Sequence, residues 1–372
     1  MQINVKNGVA HPDKAVSSIL VRRELPPRTK RVRLGMVGLN FGRHIVDDLL
    51  RRPALDHIEL AAVCDLDAAR TAVVTKRHGV RAAANLEELL ADPGIEAIGL
   101  FTSPVERAKL IRQIIRAGKH VMTTKPFELD AQAASEVLEE ARQLGRIVHL
   151  NSPSTVLPSD LQQVLSWQKQ YNLGRPIACR REVWAPYRES ADGTWYDDPA
   201  LCPVAPIFRL GIHLINDLVR LFGEAEMVQV MHNRLFTQRP TPDNAQLSIL
   251  FRNGVMASLF ASFCVDDGQF YSNSMTLNYE RGTIYRNPGP RLYGQAHALP
   301  CMKLVAKTGV EQTVIDEIEP SDNSGGYQWD VFQRAIRGEH IAGAITPSQI
   351  VAGIKIINAM ARAEQSGGSE RV

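Results

Sequence analysis

The stretch Val32-Arg33-Leu34-Gly35-Met36-Val37-Gly38-Leu39-Asn40-Phe41-Gly42-Arg43 decides the fold. Val32–Val37 is an apolar run of strand length, and helical spacing then begins at Phe41 and continues to Arg52. A strand that enters a helix through a glycine-bearing turn is the usual cradle for a dinucleotide pyrophosphate. Its glycines permit the tight turn and let backbone N–H groups approach the phosphates. The usual G-x-G-x-x-G is met imperfectly. Gly38 holds the first position, Asn40 the second and Arg43 the third, with Gly42 one residue early. Asparagine tolerates left-handed backbone better than most residues, so Asn40 is expected to make the turn, with Phe41 and Gly42 beside the phosphates.

Outward from this turn the chain alternates strand and helix. Ile58–Cys64 is strand-like, Asp67–His78 helical, Leu86–Ala91 a short helix, Ile95–Phe101 a strand and Val105–Ala117 a helix. Lys119–Thr124 follows as strand, Ala131–Leu144 as helix and Ile147–Leu150 as strand. Gly79, Gly118 and Gly145 stand just past the helix ends, where a left-handed residue is favoured. Such repetition implies a parallel sheet covered on both faces, a Rossmann domain over residues 31–151. Residues 1–30, with Pro26-Pro27 and a basic cluster, are expected to be an extension.

After Asn151 the rhythm changes. Leu161–Tyr171 and the apolar Ile212–Phe222 are helical, and Pro176–Tyr187 is extended. Strands are expected at Val228–Phe236, Ala245–Phe251, Val255–Cys264, Ser274–Tyr279 and Thr313–Ile318. Asn253-Gly254 is a hairpin signal and Glu280-Arg281-Gly282 a second turn. The reading is a C-terminal α+β domain, residues 152–365, with a mostly antiparallel open sheet. Helices cover one face and leave the other for a partner subunit. Helices Tyr327–Arg337 and Pro347–Glu364 close the domain, and residues 366–372 are expected to be a flexible tail.

The composition excludes several classes. Of 372 residues, 44% are hydrophobic and 22% charged, which is ordinary globular usage. No apolar run reaches membrane-span length, and Met1–Ala10 lacks a secretory pattern, so a cytoplasmic location is expected. A net charge of +3 is too small and too dispersed for nucleic acid, though it suits an anionic small-molecule substrate. Five scattered cysteines form no CxxC, and the ten histidines do not cluster; no metal site is expected.

The second strand ends in Cys64-Asp65. A carboxylate there accepts hydrogen bonds from ribose hydroxyls and repels a 2′-phosphate, which favours NAD over NADP. Arg70 nearby keeps NADP open, and Asp67 is better placed than Asp65 to cap the following helix.

At three places the sequence resembles the Gfo/Idh/MocA family of NAD(P)-dependent oxidoreductases. One is the Rossmann turn with Asp65. Another is Thr102-Ser103-Pro104 followed by Ala117-Gly118-Lys119-His120-Val121-Met122-Thr123-Thr124-Lys125-Pro126, similar to the family's A-G-K-H-V-x-x-E-K-P. The last is Gly211-Ile212-His213-Leu214-Ile215-Asn216-Asp217, similar to D-x-G-x-H-x-x-D. The resemblance implies that Lys125 lies beside the nicotinamide and holds the substrate oxygen, and that His213 exchanges the hydroxyl proton. It also implies a homodimer or homotetramer. The chemistry is coherent: a carbon that gives up hydride must also lose its hydroxyl proton, which an imidazole can accept while an ammonium stabilises the developing oxygen charge.

This sequence departs from the family pattern at three acids. Thr124 replaces the glutamate before the lysine, Arg209 the acid four residues before the histidine, and Asn216 the acid three after it. Either Arg209 grips an anionic substrate, or the proton relay is impaired and the chain binds dinucleotide without turnover, as a sensor. A third reading is a dihydrodiol dehydrogenase. Trp184, Trp195, Asn151, Asn216 and Asp217 complete the expected substrate contacts, because flat aromatic and polar side chains suit a sugar, cyclitol or sugar-nucleotide ring. Thr102, Ser103 and Pro104 follow a strand that ends near the cofactor and are expected to touch it.

Overall fold

The computed structural model describes residues 30–268, 271–287, 301–308, 311–322 and 324–372. The expected extension over residues 1–30 lies, but for Lys30, outside the described residues.

The first sheet is built from β1 (Val32–Val37), β2 (Ile58–Cys64), β3 (Arg81–Ala82), β4 (Ala97–Leu100), β5 (His120–Thr123) and β6 (Val148–Leu150). All pair in parallel, in the order β3-β2-β1-β4-β5-β6. Between them run α1 (Gly42–Leu49), α2 (Ala68–His78), α3 (Leu86–Ala91), α4 (Arg107–Arg116) and α5 (Ala131–Gln143). The central strands β1 and β4 are buried on both faces, which is why they read as apolar runs, whereas the edge strand β3 is exposed. Strand order reverses between β1 and β4, which opens a crevice at the carboxyl ends of the strands. Gly38, Asp65, Phe101, Thr124 and Asn151 each stand just past the end of one of these strands. Asp67 caps α2, its carboxylate accepting the Ala69 amide at 2.9 Å, as its position predicts.

The second sheet follows α6 (Ser159–Gln170). It comprises β7 (Pro176–Trp184), β8 (Ala225–Asn233), β9 (Asn244–Phe251), β10 (Met256–Ser262), β11 (Ser272–Tyr279), β12 (Gly282–Arg286), β13 (Met302–Thr308), β14 (Glu311–Ile318) and β15 (Ser369–Arg371), with α7 (Ile212–Phe222) between β7 and β8. Their order is β14-β13-β12-β11-β7-β10-β9-β8-β15. Every pairing is antiparallel except β7 with β10. Gly254, with φ +86°, turns the β9–β10 hairpin, and Glu280-Arg281 joins β11 to β12. One face buries Val183, Leu247, Leu259 and Leu277 against Trp167 of α6 and Leu214, Ile215 and Leu218 of α7.

Two expectations are corrected. Residues 366–372 are not a loose tail. The last helices are α8 (Trp329–Ile336) and α9 (Pro347–Ser366), and Gly367, at φ +66°, ends α9. The chain then adds β15 to the free edge of β8, with Glu370 opposite Val228. A strand this short carries no periodicity to read; its backbone pairing comes from the neighbour. The final helices also do not belong to the second sheet alone. Trp329 and Phe332 of α8 pack with Val32, Leu34 and Met36, and α9 splits its apolar faces. Ile350, Val351 and Ile354 lie in the core of the first sheet, while Ile356, Ile357 and Met360 lie in that of the second. No described helix is long and apolar enough to cross a membrane.

Candidate active site

The dinucleotide turn works through Gly38 rather than Asn40. Gly38 has φ +90°, and a Cβ there would stand 2.8 Å from the backbone carbonyl of Phe101, so only glycine fits. Asn40 keeps a negative φ, correcting the expectation that it takes the left-handed position. Helix α1 begins at Phe41 without a side-chain cap and without an acid in its first turn. Its opening N–H groups and the positive end of its dipole therefore fit a pyrophosphate. Gly42 packs its backbone close to Met36 and Phe101, as a tight strand–helix contact needs. Asp65 accepts the Leu39 amide at 2.6 Å and the Asp67 amide at 2.8 Å, so the carboxylate also fixes the turn; Arg70 stands 3.6 Å from it. Phe41 lies half exposed at the mouth of the turn.

Across the crevice, the loop Thr102-Ser103-Pro104 after β4 and the loop Thr124-Lys125-Pro126 after β5 are tied together by a residue that periodicity assigns to a surface helix. Arg107 is 1% exposed. It donates to the carbonyls of Thr102, Thr124 (2.5 Å) and Pro126. Burial pushes its pKa down to about 10. Glu128, also buried, accepts the Ala108 amide at 2.7 Å at the head of the same helix.

Lys125 reaches the turn that leads into the helix of His213. The Lys125 amine donates to the backbone carbonyl of Arg209, in the wide π-helical turn Ile207–Gly211 that leads into α7, the helix that carries His213. Single π turns recur at functional sites. The Lys125 backbone amide donates to Asn151 Oδ1 at 3.0 Å, and Asn151 Nδ2 donates to the Gly325 carbonyl at 3.2 Å. Burial, and then the Arg209 cation, lower the Lys125 pKa to about 8. Burial, and then the Lys125 cation, hold His213 well below its ordinary value, so its imidazole is neutral at physiological pH. His213 Nδ1 is buried and has no hydrogen-bond partner among the described residues, as is Trp184 Nε1.

Gly325 closes over that ring. Its φ is +105°, and a Cβ there would lie 3.3 Å from His213 Cε1. Gly325→Ala is expected to cost about 1–3 kcal/mol through backbone strain and displacement of the imidazole. A thermal unfolding curve superimposed on that of the parent protein would refute this. Neighbouring contacts hold the same segment down: Ser324 donates to Asp217 at 2.5 Å, and the Tyr327 hydroxyl to Thr124 Oγ1 at 3.2 Å.

Several expected substrate contacts are engaged elsewhere. Arg209 is paired with Glu189 and lies over aromatic rings, so its guanidinium already holds a carboxylate. Asn216 is buried, donating to Ser152 Oγ at 2.9 Å with its oxygen against Gly353. Asp217 is buried 3.3 Å from Arg181, and burial raises its pKa to about 6. Asn216 and Asp217 are thus interior polar groups, engaged with Ser152 and Arg181. The apolar side of α7 turns inward, and these two residues turn with it. Trp195 lies against Tyr196, ring centroids 4.1 Å apart and planes tilted by 40°, and meets Phe208 edge-on. Sequence reasoning missed Arg107, Glu189, Arg239, Gly325 and Tyr327, because each acts through tertiary contacts that leave no local pattern.

Comparison with known proteins agrees with this architecture. Residues 32–152 match the model of an oxidoreductase family with an NAD-binding Rossmann fold, and residues 161–285 match the Gfo/Idh/MocA C-terminal domain. The 1,5-anhydro-D-fructose reductase of Ensifer adhaerens is 23% identical over 55% of this chain and 62% of its own length. The UDP-N-acetylglucosamine 3-dehydrogenase of Acidithiobacillus ferrooxidans is 26% identical over 55% of this chain and 59% of its own. The chain thus spans less than two thirds of the length of these curated relatives. The crystal structure of the WlbA dehydrogenase from Bordetella pertussis, in complex with NADH and UDP-GlcNAcA, superposes with a TM-score of 0.69 at 17% identity. That match covers 92% of this chain and 99% of the other, and it shows a shared fold. With both domain models matched in order, the chain belongs to the Gfo/Idh/MocA family of oxidoreductases and carries its NAD-binding Rossmann domain.

Proposed function

We propose that this protein is an NAD-dependent oxidoreductase that interconverts an alcohol and a ketone on a sugar, cyclitol or sugar-nucleotide-like substrate. What supports the reading is the place of Lys125 beside the turn that leads into the helix of His213. The amine is anchored on the turn that leads into the helix bearing the imidazole, and its charge is felt by that imidazole. Gly38, Phe41 and Gly42 would hold the dinucleotide phosphates, Asp65 the adenosine ribose, and Thr102, Ser103 and Pro104 the nicotinamide half. NAD supplies the two-electron transfer when bound.

The chain's own residues supply binding and proton handling. Lys125, charged below about pH 8, donates a hydrogen bond to the reacting oxygen and stabilises negative charge there. His213 enters the reaction neutral, so it is ready to accept the hydroxyl proton when the alcohol is oxidised. The missing carboxylates at Thr124, Arg209 and Asn216 favour a second reading, a dinucleotide-binding protein without turnover.

One experiment separates the two. NAD and NADH affinities are measured by fluorescence titration, and a panel of polyols, inositols, keto-sugars and nucleotide sugars is then screened for a change in cofactor absorbance. Turnover of at least one compound is expected. Tight NADH binding with none across neutral and anionic members would overturn the catalytic reading and leave the binding one.

A further inference from the structure

Glu189 lies beyond the end of β7, on the segment running toward the turn that carries Arg209. The two side chains meet fork to fork: Arg209 Nη1 donates to Glu189 Oε2 at 2.5 Å and Nη2 to Oε1 at 3.1 Å. This is the bidentate geometry of a guanidinium on a planar carboxylate. The members of the pair differ in setting. The Arg209 side chain is 10% exposed and its guanidinium carbon lies 4.0 Å from the Tyr196 ring centre and 4.8 Å from that of Phe263, which fixes its plane. The Glu189 side chain is 38% exposed. Arg239 stands 3.7 Å from the same carboxylate, but Asp197 at 2.7 Å and Asp192 at 3.5 Å already pair with it. Among the described residues Glu189 is therefore the one acidic partner of Arg209, whereas Arg239 does not depend on it.

A buried cation held in plane by aromatic rings and paired with one partly exposed carboxylate is a site where another carboxylate can exchange. Such exchange leaves the buried guanidinium paired throughout, avoiding the large cost of an isolated buried charge. The location suits a substrate: the backbone carbonyl of Arg209 receives the Lys125 amine, and the Arg209 cation is close enough to lower the Lys125 pKa.

We infer that Glu189 is an internal stand-in for a substrate carboxylate. The protein takes a sugar or cyclitol acid whose carboxylate replaces that of Glu189 on Arg209 while a ring hydroxyl reaches Lys125. The position of the hydroxyl rests on the oxidoreductase reading; the exchange on Arg209 does not.

The test is calorimetric titration of the NADH-loaded protein with D-glucuronate, D-galacturonate and D-gluconate, and with D-glucose and D-galactose as neutral counterparts. In Glu189→Gln the competing charge is gone, and at least one of the three acids is expected to bind roughly tenfold tighter than in the parent, with the neutral sugars unchanged. Arg209→Gln is expected to lose the preference for acids. No tightening for any of the three acids, or an equal gain for neutral sugars, overturns the proposal and leaves Glu189 as a strap on the segment alone. Should Glu189→Gln fail to fold, the parent protein decides. A preference for an acid over its neutral counterpart supports exchange, and the absence of one overturns it. Because the readout is binding, a protein that prefers acids yet turns none over counts against the oxidoreductase reading only. One that oxidises neutral sugars with no preference for acids counts against this inference only.

Discussion

Replacing Lys125 with methionine is expected to lower turnover by about 100- to 1,000-fold, the usual loss when one donor to a developing oxyanion is removed. NADH affinity should change little if, as proposed, the dinucleotide phosphates are held at Gly38 and the head of α1 rather than by Lys125. The volume of the side chain is largely kept, so the loss reports charge and hydrogen bonding rather than a cavity. Two further readings separate a catalytic amine from a structural one. The Lys125 cation is the second cause, after burial, that depresses His213, so the His213 pKa should rise in the variant, measurable by NMR of the imidazole. In the parent, Lys125 carries its proton below about pH 8 and loses it above. kcat/KM for ketone reduction should therefore fall as pH rises through that value, and Lys125→Arg should remove this limb. Turnover within a few-fold of the parent in Lys125→Met would sink the assignment.

How far the site was legible follows from how each residue acts. Val32–Val37, Ile58–Cys64 and Ile212–Phe222 announce themselves because a buried strand or an amphipathic helix imposes a period on its own sequence. Gly38 was legible for the same reason: the turn demands a conformation that few residues adopt. Asn40 was misassigned because its tolerance of left-handed backbone permits a role that Gly38 already fills. Lys125 and His213 lie far apart in the chain, and only their two motifs linked them before the fold brought them together. Arg209 could be read only in part. Its carbonyl faces Lys125 while its guanidinium faces Glu189, and a sequence does not say which groups the two ends of a residue will meet. The strand Ser369–Arg371 was missed because its pairing is supplied wholly by β8.

Arg107 gives the sharpest case of hidden placement, and Arg107→Met is expected to destabilise the fold by about 3–5 kcal/mol, the cost of deleting one partner from a buried charged network. In sequence it opens an ordinary helix, and arginine on a helix is exposed by default. Here it is fully buried and its guanidinium donates to the carbonyls of Thr102, Thr124 and Pro126, the last two contacts themselves buried, so its removal leaves buried acceptors unpaired. These carbonyls belong to the two loops that flank the crevice, and two of them adjoin Lys125. The effect should thus extend beyond stability. The thermal midpoint should drop by on the order of 10 °C, and at a temperature where the variant is still folded both NADH affinity and turnover should weaken, because neither loop keeps its position. Arg107→Lys should recover only part of the loss, since one ammonium cannot reach all three acceptors in the planar arrangement that the guanidinium offers. A midpoint within 2 °C of the parent, measured by calorimetry, would show that water or a local rearrangement satisfies the three carbonyls and that Arg107 does not brace the crevice.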